Sequence, residues 1–241
     1  MNVSDAPGYA EGLSVASTDP ARGEKVAALG NPLGLQETIT HGIVSGANRL
    51  LPTQLGFAIL NVVQTDAPIS PGNSGGPLVT CDGDIVGVNT AGIAQQGAEN
   101  IGFAVSASII ERVVPELVAD GEFDYPFLGV RTTAVTPTVA EANDRNRTEG
   151  VVVVQTADGG PVDDVLQGAT GTERVDGRTV PVGGDVILAI DGQEIESGET
   201  LGTYLVTETE PGQTVELTIL RDGEVQRVSV TVGERLEPTE R

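Results

Sequence analysis

Gln64-Thr65-Asp66-Ala67-Pro68-Ile69-Ser70-Pro71-Gly72-Asn73-Ser74-Gly75-Gly76-Pro77-Leu78 runs out of one strand-forming segment, through a turn rich in proline and glycine, and into the next strand. A serine whose hydroxyl has to meet a carbonyl stands well in such a turn. Glycines on both sides of Ser74 let the backbone bend sharply and come close to another chain with no Cβ in the way. The N–H groups of Gly72 and Ser74 can then converge on an oxyanion, usually the largest single contribution to acyl transfer. A bare Gly-x-Ser-Gly-Gly also occurs in ordinary turns, so the surrounding chain has to decide.

On either side of this turn, short strand signals are broken by Gly, Pro and Asn: Lys25 to Leu29, Glu37 to Ser45, Ala58 to Thr65, Pro77 to Val79, Ile85 to Asn89 and Gly102 to Val105. Such brief runs predict a barrel or sandwich and not βαβ units. Apolar Ile109, Ile110, Val113, Val114 and Leu117 recur at helical spacing and predict a helix near Ser106 to Leu117. Ser106 or Ser108 is its N-cap, and Pro115 interrupts the pattern. Ala119 to Pro126 is polar and reads as a linker. Beyond it, Leu128 to Thr132, Gly150 to Gln155, Asp185 to Ile190, Thr214 to Arg221 and Glu224 to Val232 read as strands, with Glu199 to Thr207 as a helix. Asp222-Gly223 is a two-residue hairpin signal. The seven glycines between residues 157 and 184 predict a long loop or an extra hairpin.

With 241 residues the chain has room for two modest domains. Its net charge of -22 comes from 35 acidic and 13 basic residues, Lys25 being the only lysine. A surface this acidic repels nucleic acid and anionic lipid, so neither is an expected partner. The acids are scattered from Asp5 to Glu240, which points to a surface adapted to high salt, where screening relieves self-repulsion. Cys81 has no second cysteine to bond and no cationic neighbour in sequence, and reads as a small residue at a strand end. One histidine and one cysteine cannot build a metal site, and no phosphate loop or cofactor fingerprint occurs, so no cofactor or metal is expected. Neither a signal peptide nor a run of 18 apolar residues is present. The expectation is a cytoplasmic chain or one whose true N-terminus is missing.

The segment from Gln64 to Leu78 is similar almost position for position to the nucleophile region of HtrA/DegP-type serine proteases. Gly30-Asn31-Pro32-Leu33-Gly34-Leu35, Thr38, Thr40, Gly42-Ile43-Val44-Ser45, Gly87-Val88-Asn89-Thr90 and Ile101-Gly102-Phe103-Ala104-Val105 resemble the same family in the same order. The resemblance implies a mainly β chain: residues 1–120 as the second half of a trypsin-like double β-barrel, with the first barrel absent, and residues 126–241 as a PDZ domain. It implies Ser74 as nucleophile, with Gly72 and Asn73 in the oxyanion loop and Asp66 to Asn73 as a loop whose order switches activity. Asn89, Thr90 and Ala91 would pair with the substrate backbone, and Ile93 to Asn100 would flank the specificity pocket. Pro68, beside Ile69, would lie at the pocket floor, where an uncharged lining favours small or medium apolar side chains.

Trypsin-like enzymes bring in their triad in the order His, Asp, Ser, with the first two well upstream. The sole histidine, His41, aligns with a strand where the family does not place its base, and Asp5 and Asp19 read as surface acids. By resemblance, Met1 falls just after the catalytic aspartate, so the chain would carry one triad member of three. A mis-set start or a broken gene would explain this, as would a deliberately short product. Phe127-Leu128-Gly129-Val130 resembles the carboxylate-binding loop of PDZ domains, and Gly183-Gly184-Asp185-Val186-Ile187-Leu188-Ala189-Ile190-Asp191-Gly192 resembles their second signature. Two functions follow. One is an ATP-independent endopeptidase of protein quality control; the other is a non-catalytic or chaperone-like module that binds unfolded polypeptides or protein C-termini. Relatives are usually extracytoplasmic or membrane-anchored and assemble through N-terminal segments, so a homo-oligomer is doubtful without them.

Overall fold

The computed structural model describes residues 12–31, 38–52, 58–95, 98–145 and 148–235. The chain divides into two compact units, Met1–Ala119 and Asp120–Arg241.

In the first unit β1 (Lys25–Gly30), β2 (Thr38–Pro52), β3 (Ala58–Thr65), β4 (Pro77–Thr80), β5 (Ile85–Gln95) and β6 (Ala98–Ser106) precede α1 (Ala107–Ala119). The strands close into a barrel in the order β1-β2-β3-β6-β5-β4. Closure depends on β1, which pairs antiparallel with β2 (Val26↔Gly42) and with β4 (Val26↔Thr80). The period of two along β1 sends Val26 and Ala28 inward, where they meet Val44, Val63, Leu78, Val86 and Ala104. The strand β2 runs well past its predicted end at Ser45, with register shifts against β3 and Asn48 at φ 50. Such bulges bend a strand around the barrel wall.

Pro115 does not end α1. The proline gives up one backbone hydrogen bond, and the helix continues for another turn with Val114, Leu117 and Val118 exposed. Its start is held by a distant carboxylate: Asp19 accepts from the Ser108 hydroxyl (3.1 Å) and from Asn61 Nδ2 (2.7 Å), with the Ser108 N–H at 3.5 Å. Ser106, the last residue of β6, directly precedes α1 and its Oγ meets Ser108 Oγ at 3.1 Å, so the serines at this end of the helix are joined by an acid from another segment. Asp19 is exposed, as expected of a surface acid, but it ties the chain before β1 to β3 and α1.

The second unit contains β7 (Pro126–Phe127), β8 (Val130–Ala134), α2 (Pro137–Ala142), β9 (Val151–Thr156), β10 (Gly171–Val175), β11 (Arg178–Val182), β12 (Val186–Ile190), β13 (Gln193–Glu194), α3 (Gly198–Glu208), β14 (Thr214–Arg221), β15 (Glu224–Thr231) and β16 (Gly233–Glu234). The main sheet runs β15-β14-β12-β9-β8, leaving β8 at an edge, while β10 and β11 form a separate hairpin. Leu128, Val153, Ile187, Ile190, Leu201, Leu217 and Ile219 fill the core between sheet and α3. The glycine-rich insertion is therefore partly a hairpin, turned by Asp176 (φ 49) and Gly177 (φ 77). The expected linker is not free along its length, because Tyr125 stacks edge-on with Phe123 and lies beneath the guanidinium of Arg235.

Candidate functional site

After β3 the chain is pinned residue by residue. Thr65 donates its hydroxyl to Ile43 O (2.8 Å) and accepts from Ala67 N–H (3.1 Å), while Asp66 accepts from Ile43 N–H at 2.6 Å. Pro68 O then accepts from Thr40 Oγ1 (2.8 Å) and, at 3.4 Å, from Asn73 Nδ2. Ser70-Pro71-Gly72-Asn73 is closed by Asn73 N–H donating to Ser70 O at 2.9 Å. With proline second and Gly72 third at φ 104, this is a type II turn, and the third position requires glycine. Ser74 follows at once, exposed, with its Oγ donating to Thr90 O at 3.1 Å.

The N–H groups of Gly72 and Ser74 have no acceptor among the described residues, whereas Asn73 N–H between them is used by the turn. Two donors are thus left in the same turn as an exposed hydroxyl. Asn73 itself is buried and its Oδ1 has no partner among the described residues. It sits against Gly30, where a Cβ would stand 2.6 Å from Asn73 Cα.

Of the expected substrate-binding residues, Pro68 is exposed and Ile69 is half-buried against the barrel core; a Cβ on Gly102 would collide with Ile69 at 2.4 Å. Asn89 is occupied. Its N–H donates to Gly76 O (2.9 Å), its carbonyl accepts from Gly75 N–H (2.8 Å), and its buried side chain bridges to Pro77 O (3.1 Å). Asn89 therefore fixes the turn to β5, while Thr90 O accepts from Ser74 Oγ and Ala91 stands opposite Phe103 of β6. The segment Ile93 to Asn100 includes residues 96–97, which lie outside the described residues, as do Pro32 to Leu35 and Asp5. His41 is exposed on β2 opposite Ala27, and no hydrogen bond joins it to Ser74. Cys81 is exposed directly after β4. No metal-binding cluster occurs among the described residues, and no described helix is long and apolar enough to cross a membrane.

In the second unit, Phe127 ends β7, Leu128 is buried in the core, Gly129 takes φ 75 and Val130 starts β8. Gly129 O accepts from Ala157 N–H at 2.7 Å, and the N–H groups of Leu128 and Gly129 have no acceptor among the described residues. In the antiparallel ladder with Val130 opposite Thr156, that bond turns the main chain of Val130 toward the open edge of β8. Beside the edge lies α3, capped by Ser197, which accepts from Thr200 N–H. Tyr204 on this helix donates to Asp191 at 3.1 Å; burial, then Asp191 and Glu208, push its phenol above the ordinary tyrosine value. Asp185, in the second signature, is buried and takes a bidentate grip from Arg221 (2.8 and 2.6 Å) plus Gln167 N–H (2.8 Å). That hydrogen bond holds the Arg221 guanidinium above its usual value. Sequence reading found the Gly-Asp pair but not its arginine, which lies 36 residues on with no spacing to mark it.

Comparison with known proteins agrees with both halves. Residues 3–88 match the trypsin-like peptidase domain family, and residues 126–232 match the PDZ domain family. The chain is 35% identical over 227 residues to the serine protease Do-like HtrA of Bacillus subtilis, covering 92% of this chain and 49% of the relative. It is 34% identical over 219 residues to a probable periplasmic serine endoprotease DegP-like of Halomonas elongata, covering 90% and 42%. It thus spans about half the length of the curated relatives it matches. Among solved structures, the HtrA-type protease AlgW with tripeptide is similar at TM-score 0.69 and 34% identity, covering 94% of this chain and 70% of that one. A mainly β chain that joins a fragment of a trypsin-like peptidase domain to a PDZ domain, this protein belongs to the HtrA/DegP family of serine proteases.

Proposed function

We propose that Ser74 is the nucleophile of a serine endopeptidase of protein quality control, with residues 1–120 as its second barrel and residues 126–241 as a PDZ domain that reads polypeptide C-termini. The observation that carries this is the exposed Ser74 hydroxyl beside the unpaired N–H groups of Gly72 and Ser74. In the reaction, Ser74 Oγ attacks the scissile carbonyl and a base takes its proton. The two N–H groups hold the oxyanion, each worth about 3 kcal/mol of barrier. Pro68 and Ile69 favour an apolar residue before the cut.

Among the described residues no histidine is hydrogen-bonded to Ser74, and His41 is the only histidine. A missing triad member costs about 10⁴- to 10⁶-fold in kcat. Incubated alone with a fluorophosphonate probe, the chain should show no labelling at Ser74; clear labelling there would overturn the inactivity. Joined to a segment that supplies the base, it should degrade casein, and Ser74→Ala should abolish that. If the variant still degrades casein, Ser74 is not the nucleophile.

A second reading, a peptide-binding module without catalysis, is favoured by the unpaired amides of Leu128 and Gly129 beside the open edge of β8. Solved relatives are described with a tripeptide and a decapeptide. Binding of apolar C-terminal peptides with no cleavage would support it. The periplasmic names of relatives support an extracytoplasmic setting.

A further inference from the structure

The edge strand β8 alternates its two faces. Thr132 lies toward α3, since a Cβ at Gly198 would stand 3.0 Å from Thr132 Oγ1, and Val130 packs on the core that Leu201 and Leu205 of that helix enter. Arg131, between them, must point to the opposite face. Arg131 lines a cavity of about 270 Å³ together with Phe127, Gly129, Val130, Gln155, Thr156 and Ala157. Arg131 is exposed and forms no ion pair among the described residues, in a chain that has 35 carboxylates and 13 basic residues. Asp163, which meets this rim through Thr156 Oγ1 (3.1 Å), also accepts from Gly159 N–H (2.8 Å).

A peptide that adds antiparallel to β8 places its side chains alternately on these two faces. With its terminal carboxylate on the amides of Leu128 and Gly129, its last side chain and the third from the end fall on the α3 face. The penultimate side chain then stands opposite Arg131, at cross-strand distance. We infer that the second unit selects C-terminal peptides with Asp or Glu at the penultimate position, Arg131 being the residue that recognises the acid. This rests on the peptide-reading role of the Phe127–Val130 turn proposed above.

The test uses the 241-residue chain and fluorescein-labelled decapeptides ending in Xaa-Val with a free carboxylate, Xaa being Glu, Gln or Lys, with binding read by fluorescence anisotropy at about 0.1 M salt. The overall negative charge favours Lys peptides everywhere, so the measured quantity is a double-mutant cycle in which that field cancels. Arg131→Gln should lower the Glu-over-Lys affinity ratio by about three- to ten-fold, leave the Gln peptide within about two-fold, and Arg131→Glu should lower the ratio further. The effect should shrink at about 1 M salt. An unchanged ratio overturns the role of Arg131, and so does equal weakening of all three peptides. The C-terminally amidated Gln peptide separates the two levels. If amidation leaves binding unchanged, or no peptide binds, the peptide-reading role itself fails and the acid preference falls with it. If amidation abolishes binding but the ratio does not move, only the preference falls.

Discussion

Gly30 and Gly76 have no room for a side chain: a Cβ at Gly30 would meet Asn73 Cα at 2.6 Å, and one at Gly76 would meet Leu29 O at 2.2 Å. Both contacts are with backbone, which cannot swing aside as a flexible side chain does. Gly30→Ala should therefore destabilise the chain by about 1–3 kcal/mol in urea unfolding, by pushing on the turn that carries Ser74. Gly12→Ala, with nothing within 4 Å, serves as the neutral control. Equal midpoints for the two variants would show that the Gly30 contact yields freely. At this scale Gly72 (φ 104) and Gly129 (φ 75) were legible in the sequence as turn glycines, because a positive φ restricts which residues fit. Asn89 was read as a substrate partner, although its N–H and carbonyl are engaged by Gly76 and Gly75 and its side-chain Nδ2 by Pro77 O. Nothing in a sequence shows which side of a strand residue's hydrogen bonding is already occupied.

Elements were legible wherever apolar period and turn chemistry agree. Ala58 to Thr65 and Thr214 to Arg221 are found at their expected bounds, and Asp222 (φ 50) with Gly223 (φ 82) makes the expected hairpin turn. The short α2 went unread because its six residues carry little period, although Thr136 as cap and Pro137 at the first helical position were a usable signal. The partner of α1 was hidden for a different reason: Asp19 and Ser108 are 89 residues apart. Asp19→Ala should cost about 1 kcal/mol, as lost caps do, and loosen residues before β1 in hydrogen exchange. Asp19→Asn, which keeps an acceptor, should recover part of it. No change in either variant would mean that α1 needs no cap. Arg221 should matter more. Arg221→Ala takes from the buried Asp185 its hydrogen-bonded cation, leaving only the field of Arg145, and should cost about 3 kcal/mol in urea unfolding, whereas a loss under 1 kcal/mol would show that solvent or Arg145 compensates the carboxylate.

Over the whole molecule, charge is the dominant feature. Acidic residues exceed basic ones by 35 to 13, so most carboxylates have no cation to pair with. Their mutual repulsion acts over about 10 Å at 0.1 M salt and about 3 Å at 1 M. The melting temperature should rise with KCl across that range, by about 5 °C for each kcal/mol of repulsion relieved. A flat profile would mean that the acidic surface carries no salt adaptation.

The closure of the first unit also sets the order in which it can assemble. The first strand, β1, has one neighbour close behind it in β2 and another in β4, some 50 residues later, with Val26 facing Thr80. During synthesis the β1–β2 pair can form early, but the seam waits until β4 has emerged. The three strands β3, β6 and β5 that separate β2 from β4 around the wall must then fall into register. Such sequence-distant pairing slows folding and leaves strand edges open meanwhile. Refolding of this unit should wait on the closing of that seam, and the interval before it closes should be the one in which this unit aggregates most readily.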